Sequence, residues 1–200
     1  MQTKSSSIFS VAVLVAALGY FVDIYDLLLF GIVRIKSLTE LGLTAEQVKS
    51  EGEFIISIQM VGLLIGGIIW GIMGDKKGRL SVLFGSIILY SVANIVNGFV
   101  QTTNQYALVR FVAGIGLAGE LGAGITLVSE ITSKEKRGLS TSFVAGIGLL
   151  GAVVAYFISQ SFHWRICYFI GGGLGFCLLI LRISVMESGM YNKVKEMSSV

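Results

Sequence analysis

Six stretches of the chain are apolar enough and long enough to cross a bilayer, at about 8–33, 54–73, 80–100, 105–129, 139–161 and 165–186. At 1.5 Å rise per residue, roughly 20 mostly apolar residues span the hydrocarbon core. Polar positions collect between the stretches. The first connection, about 20 residues long, holds Arg34, Lys36, Glu40, Glu46, Lys49, Glu51 and Glu53. Leu38, Leu41, Leu43 and Val48 give it a modest helical pattern, which predicts a segment lying along the membrane surface. The other connections are short. The expectation is an all-α membrane protein, with 1–200 forming one bundle of six transmembrane helices.

Composition sharpens this picture. The chain is 54% hydrophobic and 14% charged, with mean hydropathy +0.83, whereas soluble domains carry about 25% charged residues. A net charge of +3 without a basic stripe argues against nucleic-acid binding. The first apolar stretch is too long for a signal-peptide core, and no small-residue cleavage site follows it. Cys167 and Cys177 lie in an apolar run without metal-ligand spacing, so neither a metal nor a disulfide framework is expected. The lone His163 stands beside Trp164 at a span boundary with no nucleophile at useful spacing, which speaks against an enzyme.

Lysine and arginine predict the orientation. Lys4, Lys76, Lys77, Arg79, Lys134, Lys136, Arg137, Lys193 and Lys195 fall on one side, against Arg34, Lys36, Lys49 and Arg165 on the other. Both termini are therefore expected in the cytoplasm, in a multi-pass protein of a bacterial inner membrane or plasma membrane. Proline is absent, so few sharp kinks are expected. Glycine recurs at helix-packing spacing in the second, fourth and fifth spans, as at Gly62, Gly66, Gly114 and Gly151. Gly114-x-Gly116-x-x-Gly119 also matches a dinucleotide fingerprint, but it sits inside an apolar helix with no strand before it.

The informative residues are ionisable groups inside spans. Each costs about 2.5–3.5 kcal/mol at a helix centre unless it is paired or hydrated. Asp23 and Asp26 lie three residues apart on one face of the first span; Arg110 and Glu120 lie in the fourth. Depth arithmetic puts Asp23, Asp26 and Arg110 on one level, so one aspartate is expected to pair with Arg110. Glu120 falls near the midplane and is expected to lack a cation at its depth. Arg34 and Arg182 lie near span ends and are expected to snorkel. An unpaired carboxylate in low dielectric takes up a proton more readily than one in water. Asp23, Asp26 and Glu120 are thus proton-relay candidates, with Arg110 as the counter-charge. Tyr25, Gln59, Asn94 and Asn97 are candidates for a substrate cavity, or for bonds between neighbouring helices.

Gly74-Asp75-Lys76-Lys77-Gly78-Arg79, between the second and third spans, resembles the hallmark loop of the major facilitator superfamily, Gly-Asp-x-x-Gly-Arg-[Lys/Arg], although Leu80 follows where a basic residue is common. Arg110 with Gly114 resembles the start of that family's fourth-helix motif. Asp23-Ile24-Tyr25-Asp26-Leu27, Gly119-Glu120 and Glu187-Ser188-Gly189-Met190-Tyr191 are similar to signatures of its metabolite:proton symporter branch.

The resemblance implies a six-helix half of a twelve-helix transporter, built as a 3+3 inverted repeat. It implies proton coupling through Asp26 and Arg110 with Asp23 and Glu120, and a cytoplasmic gate of Gly74, Asp75, Gly78, Arg79, Glu130 and Arg137. The coupling ion is expected to be a proton, with sodium the alternative, and no bound cofactor. A lone half is expected to turn its intramembrane charges toward lipid. It would then need a second six-helix half, joined covalently or supplied by a second copy. The expected function is secondary active transport of a small polar metabolite by alternating access. A non-transporting sensor or assembly module, or a drug/proton antiporter, is the alternative.

Overall fold

A computed structural model describes the backbone of residues 11–132 and 136–198, and the side chains within them except those of 12, 79, 80, 121, 123–131 and 186–198. Six helices follow one another: α1 (Val11–Glu40), α2 (Ala45–Lys77), α3 (Arg79–Asn97), α4 (Thr103–Ile131), α5 (Arg137–Ser161) and α6 (Trp164–Ser198). No strand occurs among the described residues. Among the described residues, four segments, Val13–Glu40, Ala45–Lys77, Arg137–Ser161 and Trp164–Val185, are long and apolar enough to cross a membrane. α3 offers the shorter apolar stretch Ser81–Asn97, and α4 interrupts its own with Arg110 and Glu120.

The first connection differs from expectation. No surface segment separates the first two spans: α1 continues to Glu40, and α2 starts at Ala45. Thr44 caps α2 through a capping box, its hydroxyl accepting from the Gln47 backbone N–H while the Gln47 side chain accepts from the Thr44 backbone. Gly42, at φ 90°, makes the turn in a conformation that L side chains rarely adopt. The polar residues of this region are helix ends projecting beyond the apolar core.

The packing follows the expected repeat. α2 lies along α4 as α5 lies along α1, and α3 meets α4 as α6 meets α1. Exchanging α1–α3 with α4–α6 maps one set of contacts onto the other. The glycines obey the same exchange. A side chain at Gly62 of α2 would run into the Phe111 carbonyl of α4, and one at Gly151 of α5 into the Phe21 carbonyl of α1. Only glycine lets these backbones touch.

Two of the three apolar clusters among the described residues lie toward opposite ends of the bundle. One, around Phe30, Tyr106, Trp164 and Tyr168, lies toward the end of the bundle holding Glu40. The other, around Val22, Ile87, Tyr90, Leu117 and Leu178, lies toward the end holding Gly78.

Candidate functional site

The buried charged side chains among the described residues are Asp23, Asp26, Arg110, Glu120 and Arg182. None of them turns toward lipid. Asp26 and Arg110 have no exposed surface, Asp23 1% and Glu120 2%, all within this one six-helix body. The expectation that a lone half would expose these charges is therefore corrected: the inverted-repeat packing wraps them.

Arg110 is the first centre. Its Nη1 lies 3.0 Å from Asp26 Oδ1 and 3.2 Å from Asn94 Oδ1. Its Nη2 donates to the Asp26 carbonyl at 3.2 Å, and its Nε to Gln59 Oε1 at 3.3 Å. The guanidinium also lies 5.5 Å from the centre of the Tyr168 ring, within cation–π range. One side chain of α4 thus binds α1, α2, α3 and α6. Of the two aspartates the sequence left open, Asp26 takes Arg110.

Glu120 is the second centre. It has a cation at its depth after all: Arg182 of α6 holds it in a bidentate pair, Nη1 to Oε2 at 2.9 Å and Nη2 to Oε1. Arg182 does not snorkel. It is the nineteenth residue of a helix that begins at Trp164, about 27 Å along it, while Glu120 lies about 26 Å along α4. The same depth arithmetic that matched Arg110 to the first span would have found this pair. Asp23 lies within electrostatic reach of Glu120, Arg182 and Asp26. Its Oδ1 is buried with no hydrogen-bond partner among the protein atoms.

The polar side chains proposed for a cavity are all buried in the half. Tyr25 donates to the Cys167 carbonyl at 2.9 Å, tying α1 to α6. Gln59 and Asn94 hold Arg110, while their amide nitrogens stay unpartnered, and neither polar atom of the Asn97 side chain has a partner.

At the Gly78 end, Gly78 turns the chain at φ 84°, its N–H donating to the Gly74 carbonyl at 3.0 Å. Asp75 is exposed in the last turn of α2, beside Lys76 and Lys77, and Arg137 is exposed as the first residue of α5. Arg79 and Glu130 fall outside the described side chains, as does the stretch 187–191.

The opposite end carries a cluster that sequence reasoning passed over. Glu40 Oε2 lies 2.6 Å from His163 Nε2 and accepts from Trp164 Nε1 at 2.8 Å. Arg165 stacks 4.3 Å from the Trp164 ring and donates to the Gly98 and Val100 carbonyls, closing the end of α3. These contacts stitch α1, α3 and α6 together.

With this geometry, comparisons with known proteins acquire a meaning. The chain is 32% identical over 184 residues to a putative niacin/nicotinamide transporter, NiaP, of Bacillus subtilis (strain 168), covering 90% of this chain and 45% of the relative. It is 31% identical over 182 residues to the niacin transporter NiaP of Acinetobacter baylyi, covering 88% of this chain and 40% of the relative. The chain thus spans less than half the length of these relatives. Among solved structures, the inward open xylose transporter XylE from E. coli superposes with a TM-score of 0.74 at 21% identity, over 89% of this chain and 48% of that one. The sequence profile of the Major Facilitator Superfamily matches residues 6–197, and the chain belongs to that superfamily.

Proposed function

We propose that this chain forms one half of a twelve-helix secondary transporter that carries a small polar metabolite across the membrane with protons. The observation that carries this reading is the buried ionisable cluster of α1 and α4, Asp26 lying 3.0 Å from Arg110 and Asp23 and Glu120 also buried along the same helices. Ionisable groups at such depth are costly, and mark ion or substrate pathways more often than scaffolding. In this reading, a proton taken up by a first-helix carboxylate changes the ionic contacts between α1 and α4. The two halves then rock about the bound substrate. The second half is either covalently attached or a second copy; this chain covers 45% and 40% of two longer relatives, which leaves room in them for a further body of its size. The Gly74–Arg79 turn, with Arg137 and Glu130, closes the side that the lysine and arginine count assigns to the cytoplasm.

Relatives named for niacin, benzoate and sialic acid suggest a first substrate panel of small carboxylic acids. Labelled members of the panel are offered to proteoliposomes holding the full natural protein under an imposed pH gradient. The expected result is accumulation that collapses with a protonophore and is indifferent to sodium. Asp23→Asn is expected to abolish accumulation while sparing substrate exchange. Binding without flux would replace this reading with a sensor, and proton-driven extrusion with an antiporter.

A further inference from the structure

The two buried centres differ in their charge count. Asp26 and Arg110 balance one to one. Around the second centre stand two carboxylates, Asp23 and Glu120, and a single guanidinium, Arg182. The titratable and charged groups within electrostatic reach of Asp23 are Glu120 of α4, Arg182 of α6, Tyr90 of α3 and, on its own helix, Asp26. α5 packs on α1 through Val144, Gly148 and Gly151, and carries no charged residue after Arg137. The Tyr90 hydroxyl is buried and has no hydrogen-bond partner among the protein atoms, like Asp23 Oδ1. A site of two buried acids and one cation carries a net charge that low dielectric penalises. One proton removes it.

Gly19 shows why the cation is so placed. It lies one helical turn before Asp23 on α1, and a Cβ there would collide with both Arg182 Nη2 and Glu120 Oε1. The missing side chain is a notch in α1 into which the ion pair fits. The Arg182 guanidinium therefore lies against Gly19, whose own rise to Asp23 along α1 is about 6 Å, within the compass of a long side chain that can turn to either acid.

We propose that Arg182, seated in the Gly19 notch, is the exchangeable cation of a one-proton site. It pairs with Glu120 while Asp23 holds the proton, and with Asp23 when the proton passes to Glu120. Arg182 and Gly19 are then positioning residues for the coupling proton, while Arg110 ties the helices. This inference rests on the proton-coupled reading above, and extends it by naming where the proton resides and what moves with it.

The test is infrared spectroscopy of the full protein in lipid bilayers, reading the carbonyl stretch of protonated carboxyl groups near neutral pH. Subtracting the Asp23→Asn spectrum from that of the unmodified protein is expected to leave one such band. Arg182→Gln strips the cation from both acids and is expected to double the band, whereas Arg182→Lys retains a single one. Gly19→Ala pushes the pair out of its notch and is expected to shift the pH at which the band titrates. In the transport assay, Arg182→Gln is expected to lower proton-driven accumulation at least about 10-fold and leave exchange intact.

An Asp23→Asn difference without the band, or an Arg182→Gln spectrum unchanged from that of the unmodified protein, overturns the inference. Should Arg182→Gln fail to fold, Arg182→Lys and Gly19→Ala decide: a titration unmoved by Gly19→Ala also overturns it. If the infrared pattern holds while the unmodified protein shows no proton-driven flux, the inference stands and the transport reading falls. If flux is proton-driven and the pattern is absent, the reverse is true.

Discussion

Two arginines lie buried among the described residues of this bundle, and they are held in opposite ways. Arg110 has a partner on α1, α2, α3 and α6, with one carboxylate to balance it. The Arg182 side chain bonds to one side chain, Glu120, and has a second acid, Asp23, in reach. A cation with many partners on different helices is a fixed point, since any motion breaks several hydrogen bonds together. A cation bonded to one acid with a second in reach has an alternative partner, and in the inference above a protonation selects between the two. One centre resembles a rivet and the other a switch, though both are buried ion pairs of an arginine with a carboxylate.

Removing a cation is the harshest way to break this comparison. Arg110→Leu leaves Asp26 buried with no counter-charge, and deletes the contacts that join five of the six helices. We expect a loss of about 3–5 kcal/mol in stability, read as a lower denaturation midpoint in detergent micelles with Trp70 fluorescence as the reporter. Trp70 suits this purpose because its indole donates to the Ile115 carbonyl at 2.6 Å, across the α2–α4 contact. A variant as stable as the unmodified protein would show that Arg110 is no fixed point.

Glu120→Gln tests the other centre from the anion's side. Arg182 then loses its bidentate partner, yet Asp23 is available to replace it. The expected cost is about 1–3 kcal/mol, clearly below that of Arg110→Leu in the same assay. Equal costs would mean that the two centres are alike.

Asp23→Asn goes further, because it removes the surplus acid rather than a paired one. Its stability is expected to stay within about 1 kcal/mol of the unmodified protein, since no hydrogen bond to Oδ1 is lost. Proton-driven accumulation should nevertheless vanish. Normal stability with lost coupling is the signature of a group kept for function. A strongly destabilised Asp23→Asn would instead make Asp23 part of the scaffold.

Much of this was legible in the chain, for physical reasons that also explain the failures. The spans and their glycine contacts follow from hydropathy and spacing, which are local properties, and the pairing of Arg110 with one of the two aspartates followed from depth, which left open which one. The extent of α1 and α2 did not, because helix ends that project from the membrane are polar and imitate a loop. The capping box at Thr44 and Gln47 was the signal that marked the start of α2. Arg182 was misplaced by the same error, since ending the sixth span near 186 made a mid-helix residue look interfacial. That the charges are wrapped inside one half was invisible, because a sequence gives depth along a helix but not which neighbour covers each face. The repeat exchange α1–α3 for α4–α6 decides that, and it appears only once the helices are packed.

The smallest expected effect lies at the Glu40 end, outside both centres. Glu40 is 43% exposed, as is about half of His163, so water screens their contact. Exposed ion pairs contribute about 0.2–1 kcal/mol and weaken with salt. Glu40→Gln keeps an acceptor for the Trp164 indole and removes only the charge. A decrease in stability of that size is expected at low ionic strength, fading in high salt, with the pH profile of uptake unchanged. Should the profile move, the stitching of α1, α3 and α6 at this end would be coupled to the buried proton site some 25 Å away along α4. The separation between a static frame and a mobile centre would then have to be redrawn to include the frame.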